Sequence, residues 1–155
     1  MTPLLLALAI GVIAGLRAML APAAVAWAAR LGWIDLGANW FAFLGHKWAV
    51  WITSVLAGAE LITDQLPKTP SRTVPPQFTA RIIAGAVCGA AVAGAGGASW
   101  IVGLICGIIG AVIGTLGGRA VRGKLANAFG NDHPAAILED IVAIGGAIAI
   151  MAALR

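Results

Sequence analysis

The sequence has no tyrosine, only two cysteines and two histidines, and six acidic residues against ten Lys and Arg. Each scarcity excludes something. Charged residues make up 10% of the chain, where a soluble domain carries about a quarter, so a fully water-facing surface cannot be built. There is no Cys-x-x-Cys, no pair of histidines four apart and no acid-rich loop, hence no metal-ligand set. Cys88 and Cys106 lie inside apolar runs and read as small buried hydrophobes. His46 and His133 fall at the edges of apolar runs and read as interfacial. No nucleophile–base pair and no phosphate loop appears, so neither an enzyme nor a cofactor is expected. The formal charge of +4 and pI near 9.8 come without a basic helix or an aromatic stacking platform, which leaves nucleic acid no surface to bind.

What is abundant is apolar sequence: 61% of residues are hydrophobic and the mean hydropathy is +0.97. The chain reads as a single integral membrane domain over residues 1–155, an all-α bundle of about five spans. These are expected near 3–29, 48–66, 78–95, 100–118 and 134–154. The first is ~40 Å long at helical rise, against a hydrocarbon core of ~30 Å. It must tilt, protrude or break, and a break would fall between Gly15 and Pro22. The count drops to four if span one or residues 30–47 re-enter on the side they left. The N-terminal run lacks a positive leader and is interrupted by Arg17, so it reads as a retained span rather than a signal peptide. Residues 67–77, rich in proline, read as an extended linker. Residues 119–133 are polar and predict a short cytoplasmic helix ending at Gly130 and Asn131.

Tryptophans and basic residues sort apart along this threading. Trp27, Trp33, Trp40, Trp48 and Trp51 crowd one stretch and Trp100 sits in a Gly/Ser turn. Lys68, Arg72 and Arg81 lie in one connection, and Arg119, Arg122 and Lys124 in another. Tryptophan favours the headgroup level, and Lys and Arg mark the cytoplasmic side. Five spans then predict a bacterial inner-membrane protein with a cytoplasmic N-terminus.

Three features could carry function. The first is small residues four apart: Gly11 and Gly15, Gly85 and Gly89, Gly107, Gly110, Gly114 and Gly118. Such grooves let helices approach closely in lipid. They predict glycine-zipper packing and, through a free face, a homo-oligomer. The second is the charges inside spans. Arg17 lies within span one, Glu60 and Asp64 sit one turn apart in span two, Glu139 and Asp140 open span five, and Arg119 and Arg122 follow span four. A lone charge at bilayer depth costs at least ~2.5–3.5 kcal/mol, so these must turn inward and pair. Arg17 is expected against Glu60 or Asp64, and Arg119 or Arg122 against Glu139 or Asp140. The cluster is either a lock that fixes helix register or a site for an ion, proton or anionic solute. The third is a faint echo between Ala14–Ala18 and Leu116–Ala120, sharing Gly-x-Arg-Ala, which would make a weak inverted repeat of the transporter kind.

Ala-Gly-Leu-Arg-Ala at 14–18, Ala-Glu-Leu-Ile-Thr-Asp-Gln-Leu-Pro at 59–67 with Arg81 downstream, and Leu-Glu-Asp at 138–140 resemble the bacterial membrane family named domain of unknown function 4126. Order and spacing hold over nearly the whole chain. The family's patterned positions fall on Gly15, Arg17, Glu60, Asp64, Pro67, Arg81, Glu139 and Asp140. The linker after Pro67 lacks an acid that the family is expected to show there. The resemblance implies a small multi-span inner-membrane protein and supplies no activity.

The leading expectation is a permease or channel for an ion, proton or small anionic solute, with Arg17, Glu60 and Asp64 as its core. Arg119, Glu139 and Asp140 would gate or support it. One rival is a structural or accessory subunit of a larger membrane complex. Another is a protein that binds a lipid headgroup through its arginines.

Overall fold

The computed structural model describes residues 2–66 and 74–155, and the described residues form six α-helices without a strand. They are α1 (Pro3–Leu16), α2 (Leu20–Arg30), α3 (Lys47–Thr63), α4 (Pro75–Ala95), α5 (Trp100–Phe129) and α6 (Asp132–Leu154), with a 3-10 turn over Trp40–Gly45. By length and composition α4, α5 and α6 can cross a membrane, and α1 is a shorter apolar helix. Most of the linker expected at 67–77, with Pro67, Lys68 and Arg72, lies outside the described residues. Its last prolines, Pro75 and Pro76, open α4, where a missing N–H costs nothing.

Close approach of α1, α4 and α5 forms the centre. A Cβ on Gly85 would lie 2.6 Å from the carbonyl oxygen of Gly107, and one on Gly15 would lie 2.6 Å from the amide of Thr115. Gly11 faces Gly107, Gly89 faces Gly103, and Gly110 and Gly114 face the backbone of α1 around Val12. Only glycine leaves room for such backbone contact. Gly118 lines a groove between α1, α5 and α6 instead.

These pairings set helix directions, and with them the chief departure from expectation. Gly11 meets Gly107 and Gly15 meets Ala111 and Thr115, so α1 runs parallel to α5. Gly85 meets Gly107 and Gly89 meets Gly103, so α4 is antiparallel to α5. Ile13 touches Gly146 and Arg17 reaches Asp140, so α6 is antiparallel to α1. Pro3 therefore lies beside Gly96, at the end of the bundle where α4 finishes and α5 begins. The far end of α2 returns to that same end. Trp27 packs edge-on to Trp51 at 6.3 Å, Ala29 abuts Gly45, and Trp33 lies under the guanidinium of Arg155. Trp40 meets Trp100 there, 5.8 Å away. Instead of one continuous helix over 3–29, α1 and α2 form a hairpin that starts and ends at the tryptophan-bearing end, with its tip at Arg17–Met19. At ~1.5 Å per residue, the 14 residues of α1 put that tip ~21 Å from that end.

Two smaller expectations also change. Residues 119–129 are not a separate helix: α5 runs unbroken for 30 residues, because no proline interrupts it, and stops at Gly130 in the left-handed region (φ 67°). The sequence echo has no structural counterpart either. Arg17 stands at a helix break while Arg119 lies inside a continuous helix, and the two helices run parallel rather than inverted.

Candidate functional site

The hairpin tip leaves backbone groups without helical partners. Arg17 is extended (φ −140°, ψ 108°), which ends α1, and the turn at Ala18 and Met19 leads into α2. A buried backbone group left unsatisfied costs free energy comparable to a lost hydrogen bond. Ionised side chains from neighbouring helices meet that demand. Glu60 of α3 accepts the amides of Ala18 (2.8 Å) and Met19 (2.9 Å), one on each carboxylate oxygen. Its negative charge thus sits near the positive end of the α2 dipole. Arg81 of α4 does the converse. One of its terminal nitrogens donates to the carbonyls of Gly15 and Leu16, both at 2.8 Å, at the negative end of α1. Thr115 of α5 adds a 3.3 Å bond to Gly15. Arg81 and Glu60 also pair with each other at 3.5 Å, closing a ring around the tip.

Arg17 itself is wholly buried (0% exposed). Its guanidinium is shared between Asp64, at the C-terminal end of α3, and Asp140 of α6, to which its Nε donates at 2.6 Å. Gln65 donates to the other oxygen of Asp140 at 3.0 Å. The side chains of Glu60, Asp64 and Asp140 keep 13%, 11% and 15% exposure, so the acids reach the edge of the cluster while the two arginines do not.

A second group lies further along α5. Arg122 chelates Asp132 at 3.0 and 2.7 Å, reaches Glu139 at 3.4 Å and donates to the carbonyl of Asp64 at 3.1 Å. That last bond joins it to the first group. Arg119 lies one turn earlier, exposed on α5.

Arg17, Glu60, Asp64 and Asp140 are thus brought together, with Glu139 one bond-network away. Arg17 meets Asp64 directly, as expected, whereas Glu60 serves the backbone and Arg81. Of the two arginines proposed for the α6 acids, Arg122 is the one on Glu139. Sequence reasoning missed Arg81 as a helix-capping group, although an arginine followed by Ile-Ile within an apolar run was a signal. It also missed Gln65, Thr115 and Asp132. Thr115 is the sole hydroxyl in α5, and nothing in its local sequence marks it. Among the described residues, no group of three His, Cys, Asp or Glu side chains is placed to hold a metal ion.

Fold and site together define an all-helical protein of membrane-length apolar helices built around a buried arginine–carboxylate cluster. The chain belongs to the family described as Domain of unknown function (DUF4126), matched over residues 4–153. The resemblance read from its three short motifs is borne out over nearly the whole length. No curated protein and no solved structure matches the chain.

Proposed function

We propose that the chain is a small permease of the bacterial cytoplasmic membrane, passing a proton, an ion or a small anionic solute at the tip of the α1–α2 hairpin. One observation carries this reading: two helix ends meet inside a bundle of apolar helices and are held by ionisable side chains from α3, α4 and α6. Irregular backbone at membrane depth is tolerated only where protein buries it or where it lines a cavity, and discontinuous helices build the binding sites of many transporters. The acids at the cluster's edge are the groups that would exchange protons or meet the solute. Arg17 and Arg81 would hold the closed state.

The topology that accompanies this reading has four crossings, α3 to α6, and one re-entrant hairpin. With the tryptophans at the outer interface and Arg119, Arg122 and Lys124 inside, both Pro3 and Leu154 fall outside. This reverses the N-terminus expected from five spans. The glycines of α1, α4 and α5 would act as a zipper that grips the hairpin. The outward apolar faces of α3 and α5 would serve a homo-oligomer or a larger membrane complex.

A structural role is the second reading, favoured by the complete burial of Arg17 between two carboxylates. Flux into liposomes reconstituted with pure protein separates the two. The permease reading expects proton or ion flux that Asp64→Asn abolishes while the variant stays folded. Absence of flux for protons and common ions, with Asp64→Asn altering stability alone, would move the assignment to the structural role.

A further inference from the structure

Away from the charged cluster, a cavity of about 530 Å³ opens between α2, α3 and α6. Leu20, Ala24, Leu61, Ile144, Ile148 and Met151 are among its walls. Its one hydroxyl, on Ser54, already accepts the indole N–H of Trp27 at 2.9 Å. Water needs two to four polar partners to settle in a cavity, and this one offers almost none. A void of this size forfeits the dispersion contacts that hold packed interiors together, so an apolar chain belongs in it.

The gap has a structural origin. α3 packs on α2 and not closely on α6, which leaves a gap beside its Ser54, Ala57, Gly58 and Leu61. Positive charge collects where the cavity approaches the tryptophans. The guanidinium of Arg155 lies 5.3 Å from the ring centroid of Trp33, a wall residue. Arg30 ends α2 between the wall residues Ala28 and Leu31. No acidic residue is among those lining the cavity. An apolar slot with the Arg155 guanidinium over its Trp33 wall, and Arg30 next in sequence to its Leu31 wall, complements a lipid with a hydrocarbon tail and an anionic phosphate.

We propose that this groove holds one anionic membrane phospholipid as a stoichiometric component, its acyl chain between α2, α3 and α6 and its phosphate at Arg30 and Arg155. The proposal does not depend on permeation.

Native mass spectrometry of the whole protein in mild detergent tests it, with phosphatidylglycerol or phosphatidylcholine added back. The expected result is one lipid per chain, with phosphatidylglycerol retained several-fold better. An added Cβ at Gly58 meets nothing within 4 Å, so Gly58→Leu projects into the groove and should abolish retention. Ala24→Leu fills it from the α2 side, should Gly58→Leu fail to fold. Gly145→Leu, equally open but not a wall residue, should keep the lipid. Arg30→Gln with Arg155→Gln should erase the preference for the anionic headgroup and leave binding of either lipid. Retention by the folded Gly58→Leu or Ala24→Leu protein equal to that of Gly145→Leu would overturn the proposal. So would wild-type protein that holds no lipid, or a groove filled by a second copy of the chain, seen as a lipid-free dimer that Gly58→Leu dissociates.

Discussion

Glu60→Gln removes one charge and almost no volume, and it strikes the hairpin tip where the backbone is least able to compensate. Both carboxylate oxygens of Glu60 accept backbone amides, at 2.8 and 2.9 Å, and the carboxylate is the ion-pair partner of Arg81 at 3.5 Å. A glutamine keeps one acceptor. Its NH₂ group meets an amide donor with another donor, so one charge-assisted bond is lost (~1.5–3 kcal/mol) and the other weakens. Arg81, only 1% exposed, then faces an uncharged neighbour, and removing one member of a buried pair costs ~3–5 kcal/mol. Against this stands the modest value of polar contacts between membrane helices, which average ~0.6 kcal/mol because the unfolded chain in lipid finds other partners. The larger figure should win here, because amides of a non-helical turn have no helical acceptor to fall back on. We expect a loss of about 3 kcal/mol, read as unfolding of the purified protein by SDS titration in micelles. Glu60→Asp should recover part of it. Arg81→Gln combined with Glu60→Gln should cost less than the sum of the two single changes, since the ion pair is lost only once. A loss below ~0.5 kcal/mol for Glu60→Gln, or strict additivity in the double variant, would refute the capping role.

Glycines packed against backbone and glycines with open space around them should respond to alanine in opposite directions. Gly107→Ala would drive a methyl into the backbone of Gly85 and should destabilise by about 1–3 kcal/mol or prevent folding. Gly58→Ala and Gly145→Ala meet nothing within 4 Å and should be neutral or stabilising by up to ~1 kcal/mol in the same unfolding titration. Gln65→Leu gives up the 3.0 Å bond to Asp140 but also removes a buried carbonyl oxygen that has no partner among the described residues, so the net change should stay within about 1 kcal/mol. A loss near 3 kcal/mol there would mean that the amide does more than one hydrogen bond describes.

How far the sequence could be read depended on what each element answers to. The apolar runs, the prolines that open α4 and the left-handed Gly130 are local signals, and the last four helices begin close to where those signals place them, though α5 runs on to Phe129. The expectation that Arg17 pairs with Glu60 or Asp64 followed from the cost of a lone charge in lipid, which holds wherever the helices lie, and Asp64 is the one it meets. The hairpin was not legible in the same way. Residues 3–29 read as one span because apolar composition counts length and not direction. The reversal at Arg17–Met19 is set by partners 41 to 123 residues away, Glu60, Arg81 and Asp140 among them. No window over the local sequence contains those partners. The break itself fell inside the expected interval from Gly15 to Pro22, where the small residues offered no resistance. Arg81 looked like a residue at a span's edge because its role depends on two carbonyls of α1. For Arg119 the sequence echo misled, since the residue sits in a helix with no interruption.

The central claim is that α1 and α2 form a re-entrant hairpin carrying the charged cluster at its tip. Single cysteines at Thr2, Asp35 and Lys124, in a Cys88→Ala, Cys106→Ala background, can be labelled in intact cells with a membrane-impermeant maleimide. The hairpin predicts that Thr2→Cys labels from outside together with Asp35→Cys, while Lys124→Cys labels only after the membrane is opened. Protection of Thr2→Cys alongside Lys124→Cys, with Asp35→Cys labelled, would mean that residues 3–29 cross the membrane, and the hairpin would be wrong.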